Sequence, residues 1–440
     1  MKIRILLAGA VTVAVAAALV GCSSGSGSSD TSTTSSNKGV TLTYWASNQG
    51  ASLDNDKEIL TPVIDEFTKQ TGIKVNLEVV PWSDLTNNTL AAAVSGQGPD
   101  VLNIGNTNAV TFQSTGAFYG WDSKALAKIG GKDHFVASSF ATAGAPGQDP
   151  TSIPLYSQTY GLFYNKQIFA DAGLKAPTTW EELVSDAKAL TNPDEGKWGL
   201  AVPAGTVNVS MHFSFIFGAQ NGGAAFDSSG KPTFTSKGMV EGVQQYVDLL
   251  SKDHVINPSD VQYTDGTQAA GAFAKGNAAM YFAQTGGINT LRQNGMDPDA
   301  YGVVPIPSPK GGKNIGSFVA GSNISIFKNT KHLDASIEFV KFMTSDKTQA
   351  TLNKAYTTIP VVKGVPAAFD ASPDQLKVWS TILNDKSKPL PLVPGIQAFQ
   401  ANVGGAVVAL MAKAATGSTV SSDDIKQALD DAQQKMGVTG

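Results

Sequence analysis

The chain has 440 residues, a formal net charge of −4 and a charged fraction of 15%. No basic run is present, so nucleic acid is not an expected partner. The single cysteine, Cys22, excludes an internal disulfide framework. The length suffices for two lobes with substantial cores.

At the N-terminus Lys2 and Arg4 precede an uncharged stretch, Ile5 to Val20, which ends in Leu19-Val20-Gly21-Cys22. A basic start, an apolar core and small residues before a cut are the parts of a secretory signal, expected at residues 1–21. A retained membrane span is the competing reading, because the run is almost long enough for one. Leu-Val-Gly-Cys resembles the lipobox of bacterial lipoproteins. That resemblance implies a lipidated Cys22, more than one acyl chain, and an extracytoplasmic location anchored to the cell membrane. Ser23 to Gly39 is almost entirely Ser, Thr and Gly. It has nothing apolar to bury and is expected to be a disordered tether, reaching roughly 20–25 Å as a coil. No second apolar run of spanning length is evident, so only the lipid is expected to touch the membrane.

From Val40 the pattern predicts strand and helix in turn. Val40 to Trp45 alternates as a strand, Glu58 to Gln70 has helical spacing, and Gly72 stops it. Lys74 to Val80 is a second strand, and Ser83 is placed to cap a helix through Leu90 to Val94. Val101 to Ile104 is a third strand, with a short helix to Gly116. This alternation argues for a largely parallel, doubly wound sheet. The pattern restarts after the Gly/Pro-rich stretch 143–150. Strands are expected at Tyr160–Tyr164, Gly199–Val202, Ala278–Phe282 and Tyr301–Val304. Helices are expected at Lys166–Ala172, Val209–Gln220 and Ser236–Lys252, and from a Thr179–Glu182 capping box through Leu190. Beyond Pro305, Pro307 and Pro309 come a strand, Asn323–Phe327, and amphipathic helices at Asp334–Met343 and Asp423–Met436.

Catalytic motifs fail on context. Gly21-Cys-Ser-Ser-Gly25 fits a nucleophile-elbow pattern but lies in the leader, and Ser185-Asp-Ala-Lys188 fits S-x-x-K inside a predicted helix. His134, His212, His254 and His332 have no zinc-ligand spacing. Asp54, Asp56 and Glu58 begin like a calcium loop, but Ile59 stands where that loop needs glycine. No phosphate-binding or dinucleotide loop occurs. Neither metal nor cofactor is expected, and no enzyme activity.

Phe67-Thr-Lys-Gln-Thr-Gly-Ile-Lys-Val-Asn, Ser95-Gly-Gln-Gly-Pro-Asp-Val and Phe163-Tyr-Asn-Lys166 with Thr179-Trp-Glu-Glu-Leu183 resemble the family-1 extracellular solute-binding proteins of ABC sugar importers. So do Phe273-Ala-Lys-Gly-Asn-Ala-Ala-Met280, Phe339-Val-Lys-Phe-Met343 and Ala428-Leu-Asp-Asp-Ala-Gln433. The resemblance implies a two-lobe α/β fold of the periplasmic-binding-protein type II class, with a ligand cleft between the lobes. Lobe I would take 40–157 plus 305–360, and lobe II 158–304 plus 361–440. The composition break near Pro146 and the prolines from Pro305 suit hinges. The implied partners are a sugar ligand and the transmembrane subunits of an importer, for a protein expected to be monomeric.

Sugar sites combine aromatic plates with hydrogen-bonding side chains, and ligands of open α/β sheets sit outside the carboxyl ends of strands. Trp45 and Gln49 follow strand one, with a core tryptophan as the alternative for Trp45. Trp82 follows strand two, lining the cleft or plugging the strand end. Asn106, Thr107 and Asn108 follow strand three. Gln284 and Thr285 follow the strand beginning at Ala278. By resemblance to the maltose-binding branch, Gln158 falls at an acidic sugar-binding hinge position, and Gln400 falls near an aromatic one. His212 falls near a stacking tyrosine, with a buried structural histidine as the alternative. Residues 106–108 replace charged ligands of that branch, and Gly286 replaces a tryptophan. The site is therefore expected to be poor in aromatics and rich in amides, for a smaller or different glycan or another polar solute. Trp121, Trp180, Trp198 and Trp379 are read as structural.

Two other classes remain as alternatives. A binder of anions would need an Arg clamp, and Arg292 is the only arginine after the leader. A glycosidase would need two carboxylates facing each other about 5–10 Å apart.

Overall fold

The computed structural model describes residues 37–436 apart from Ala51. The secretory signal, Cys22 and most of the tether lie outside the described residues. Among the described residues eleven strands are present: β1 (Thr41–Ser47), β2 (Lys74–Val80), β3 (Val101–Gly105), β4 (Ile153–Gln158), β5 (Tyr160–Asn165), β6 (Trp198–Ala201), β7 (Ala278–Gln284), β8 (Tyr301–Val304), β9 (Ser317–Phe318), β10 (Ala320–Ile326) and β11 (Ser387–Lys388). They form a five-stranded sheet in the order β2-β1-β3-β10-β4, a four-stranded sheet β6-β7-β5-β8, and a β9–β11 pair.

The first sheet is built by alternation. Leu42, Tyr44 and Ala46 point into a core with Phe67, Phe339 and Tyr356, as the period of two requires. β1, β2 and β3 are mutually parallel. The expectation of a largely parallel sheet then needs correction. β10 runs antiparallel to both β3 and β4, and in the second sheet β5 runs antiparallel to both β7 and β8. The reason is connectivity. β10 returns to the first sheet from the second lobe rather than through a local βαβ crossover, so the direction a crossover would impose is absent.

The chain changes sheets at Thr159, between β4 and β5, which is later than the Gly/Pro-rich stretch 143–150. It returns between β8 and β10, after Pro305. A third segment passes alongside, where Ser157 and Ile359 exchange backbone hydrogen bonds of 3.1 and 2.8 Å. The two lobes of the expected α/β fold are thus joined by three adjacent stretches of chain.

Several helices start where the sequence places a cap. Thr179 and Glu182 form the capping box. Ser52 caps the helix Leu53–Thr71, which begins a turn earlier than the apolar spacing indicates. The Ser83 cap is corrected: its helix runs Trp82–Ser95 from Pro81, with no side-chain cap. The helix Ile396–Ala415 corrects a second expectation, because it is long and apolar enough to cross a membrane. It packs instead in the second lobe, where Ile396, Phe399, Val403 and Val407 join the core formed around helices Val207–Gln220 and Lys237–Ser251.

One buried carboxylate stands out in that lobe. Asp260 accepts a hydrogen bond from the Val202 N–H at 3.2 Å, and burial pushes its carboxyl up to about 7. Between pH 4 and 7 the native state holds a proton that the unfolded chain has released, so stability falls as pH rises through that window. Wild type is expected to lose a few kcal/mol from pH 4 to 7 at about 1.4 kcal/mol per pKa unit. Asp260→Asn flattens this slope, which denaturant melts at stepped pH measure.

Candidate functional site

A cavity of about 450 Å³ lies where five strand ends meet the starts of three helices. Gln49 follows β1, and Trp82 and Thr86 lie on the helix that follows β2. Gly105, Asn106, Thr107 and Asn108 close β3. Gln158 ends β4 and Gln284 ends β7. The crossover segment supplies Phe318, Ala320 and Gly321. Val207, Asn208 and His212 come from the helix Val207–Gln220, and Gln397, Gln400 and Ala401 from Ile396–Ala415.

The three helices that open onto the cavity share a feature. Their N-caps, Pro81, Thr206 and Gly395, make no side-chain capping hydrogen bond, the Thr206 hydroxyl donating instead to the Tyr263 carbonyl. The first-turn N–H groups of a helix need partners, and these three ends offer theirs at the cavity rim.

The lining carries no charged side chain. Its polar groups are amides, two threonine hydroxyls and an imidazole. Asn106, 3% exposed, donates from Nδ2 to the Val319 carbonyl at 2.9 Å. That bond fixes the amide orientation and leaves Oδ1 buried without a partner. Asn108 donates to Thr86 Oγ1 at 3.3 Å and likewise keeps a free Oδ1, and Gln397 Nε2 is also unpaired. A buried acceptor or donor without a partner is costly, so these three atoms call for a solute that supplies both kinds of hydrogen bond. A hydroxyl does both.

His212 bonds through Nδ1 to the Tyr160 hydroxyl at 2.9 Å, and its ring lies 4.4 Å from that of Phe318. Burial pushes the imidazole down to about 3, so it is neutral and its remaining nitrogen is left for the cavity. Trp82, 42% exposed, lies over the backbone of Gly105, where a Cβ would sit 3.6 Å from the indole. It leaves an open aromatic face.

Nine of the sequence-predicted residues therefore meet in one cavity: Gln49, Trp82, Asn106, Thr107, Asn108, Gln158, His212, Gln284 and Gln400. Two do not. Trp45 lies on the face of β1 opposite Tyr44 and Ala46 and packs with Leu90 against Leu102, Ile104 and Phe118. It is partly buried there and does not line the cavity. Thr285 is fully buried in the turn after β7. Sequence reasoning missed Thr86, Asn208, Phe318 and Gln397. Asn208 stands one turn before His212, and Gln397 three residues before Gln400, so helical spacing from the predicted residues was the available signal.

The lobes also touch across the cavity. Gln400 Nε2 donates to Thr107 Oγ1 at 3.3 Å, and Thr111 Oγ1 to the Pro394 carbonyl at 3.1 Å.

Two α/β lobes around a neutral polar cleft define a solute-binding protein. The profile of the bacterial extracellular solute-binding protein family matches residues 50–350, and the chain belongs to that family. It is 26% identical over 365 residues to the diacetylchitobiose binding protein DasA of Streptomyces coelicolor, spanning 79% of this chain and 83% of that one. Identity to the multiple sugar-binding protein of Streptococcus mutans is 27% over 341 residues, 75% of this chain and 77% of the other. Among solved structures it resembles an ABC substrate-binding protein of Listeria monocytogenes in complex with cycloalternan. The TM-score is 0.75 at 18% identity, over 91% of this chain and 98% of that one, a likeness of fold. These proteins are binders rather than enzymes.

Trp82→Ala is expected to keep folding stability within about 1 kcal/mol, because the ring is exposed. It should weaken solute binding about tenfold through loss of the plate. Unchanged affinity by calorimetric titration would remove Trp82 from the site.

Proposed function

We propose that this chain is the substrate-binding lipoprotein of an ABC importer and captures a neutral sugar, mono- or oligosaccharide, in the interlobe cleft. The observation that carries this reading is the lining itself: amides, two hydroxyls and a neutral imidazole as its polar groups, one open aromatic plate, and no charge. Hydroxyl-rich rings present both donors and acceptors and an apolar C–H face, which this lining complements. The relatives named for diacetylchitobiose, multiple sugars and galactooligosaccharide support the same class.

In this reading Gln49, Trp82, Asn106, Thr107 and Asn108 form the lobe I wall, with Gln158 at the hinge. His212, Gln284 and Gln400 form the lobe II wall. Lobe I is 40–157 plus 305–360 and lobe II is 158–304 plus 361–440. Contacts from both lobes make the solute favour the closed state by its differential affinity, and the closed form delivers it to the transmembrane subunits. The chain breaks no bond. Residues 1–21 direct export, and lipidated Cys22 holds the protein outside the cell membrane through the 22–39 tether. A polyol, amino acid or peptide is the alternative cargo, and the uncapped helix starts at the cavity favour testing an anion as well.

Thermal-shift screening of the purified protein tests the cargo. The panel holds diacetylchitobiose, galactooligosaccharides, maltose, ribitol, amino acids and glycerol 3-phosphate. A neutral glycan at 100 times its Kd is expected to stabilise by about 2.7 kcal/mol. A response to an amino acid or the phosphate alone would overturn the sugar assignment. The anchor has its own test: Cys22→Ser should move the protein from the membrane fraction to the soluble extracytoplasmic fraction, and retention in the membrane would argue for an uncleaved span.

A further inference from the structure

We infer that Asp56, which does not line the cleft, is its positioning residue, holding the Asn48–Gly50 loop so that Gln49 reaches the cavity. The inference rests on the cleft being the solute site. Asp56 stands in the helix Leu53–Thr71 and is fully buried. Its Oδ1 accepts from the backbone N–H of Gln49 at 3.1 Å and of Gly50 at 2.9 Å, and its Oδ2 from the Asn48 side-chain amide. Among the described residues no lysine or arginine forms an ion pair with it.

A buried carboxylate without a cation is costly unless hydrogen bonds compensate it. These three donors belong to one short loop, and the Tyr356 hydroxyl also lies beside the carboxylate. The helix does not need the carboxylate for its own start, since Ser52 already caps it by accepting from the Asn55 N–H at 3.1 Å. The other end of the loop is tied to the first sheet, where the Asn48 N–H donates to the Val80 carbonyl at 3.0 Å. The Asn48 amide also donates to the Gly50 carbonyl at 3.2 Å. The loop packs closely on the helix start, for a Cβ at Gly50 would lie 2.6 Å from Asn55 Oδ1. The chain thus leaves β1, and three charge-assisted bonds set where residue 49 stands. Functional side chains depend on such support being stiff.

Asp56→Asn keeps the shape and removes the charge. Hydrogen exchange should accelerate selectively at the Gln49 and Gly50 amides, a readout that needs no ligand. Affinity for the responding neutral glycan of the panel should fall about 5- to 10-fold, and by less than about 2-fold when Gln49 is already Ala, since a residue acting through Gln49 is non-additive with it. Equal losses in both backgrounds, or a lowered melting temperature with wild-type affinity, would overturn the assignment, as would unchanged exchange at both amides. If wild type answers to no glycan, the sugar reading fails while the exchange experiment still decides the role of Asp56. If Asp56→Asn does not fold, Asn48→Ala removes one donor and takes its place. Faster exchange than wild type at Gln49 and Gly50 then supports the assignment, and wild-type exchange overturns it.

Discussion

Between Ser157 and Tyr160 the chain leaves one sheet for the other, and two more segments pass beside it. Space at this crossing is tight. Gly321 has φ +153°, and a Cβ there would lie 2.0 Å from the Tyr156 carbonyl oxygen, so only glycine lets β10 run this close to β4. The Tyr160 N–H is held by Ser317 Oγ at 2.7 Å, and Ser157 is bonded twice to Ile359. The crossing is also the floor of the cavity, since Gln158, Phe318, Ala320 and Gly321 all line it. Each wall is keyed to that floor. Asn106 of the first lobe bonds the Val319 carbonyl. His212 of the second bonds Tyr160 and packs on Phe318. Rotation of one lobe about the crossing would therefore carry its wall while the floor stayed common to both.

Much of this was legible because local chemistry and global fold agree. β2 and β8 have the expected bounds to the residue, and Pro81 and Pro305 follow them directly. The Thr179–Glu182 box formed because both partners of the reciprocal cap are in the sequence. Six of the cavity residues follow from the rule that solutes sit past the carboxyl ends of strands, and Gln158, His212 and Gln400 from the resemblance. That rule fixes position along a strand and not which face a side chain takes, and Trp45 takes the face that packs, partly buried, against Leu102, Ile104 and Phe118. β4 escaped because all six of its residues are buried, so Ile-Pro-Leu-Tyr-Ser-Gln shows no alternation to detect. Phe318 escaped for another reason. Its strand is two residues long and owes its place to pairing with β11, about seventy residues on in the chain.

The helix Ile396–Ala415 shows how composition and context part company. Its run of Ala, Val, Gly and Leu satisfies the length and apolarity of a membrane span. Yet its start presents Gln397 and Gln400 to the cavity, and Gly404 lets it approach the start of the helix Val207–Gln220 so closely that a Cβ would meet the Val207 carbonyl at 2.3 Å. The same small residues that read as a membrane segment serve helix-to-helix contact, and they bring two cavity-lining helix starts together.

The cavity is neutral, but one of its lobes sets a buried carboxylate behind the wall. In the first lobe, Asp56 grips the backbone of residues 49 and 50. A carboxylate facing the solute would bind a hydroxyl more strongly per bond than an amide does, but it would accept only and would bring a desolvation cost of its own. Set one layer back, the charge acts on the backbone and leaves the solute to groups that both donate and accept. Binding strength must then come from the number and placement of neutral contacts. That makes the rigidity of the supporting loops, rather than any single strong interaction, the quantity on which selectivity depends.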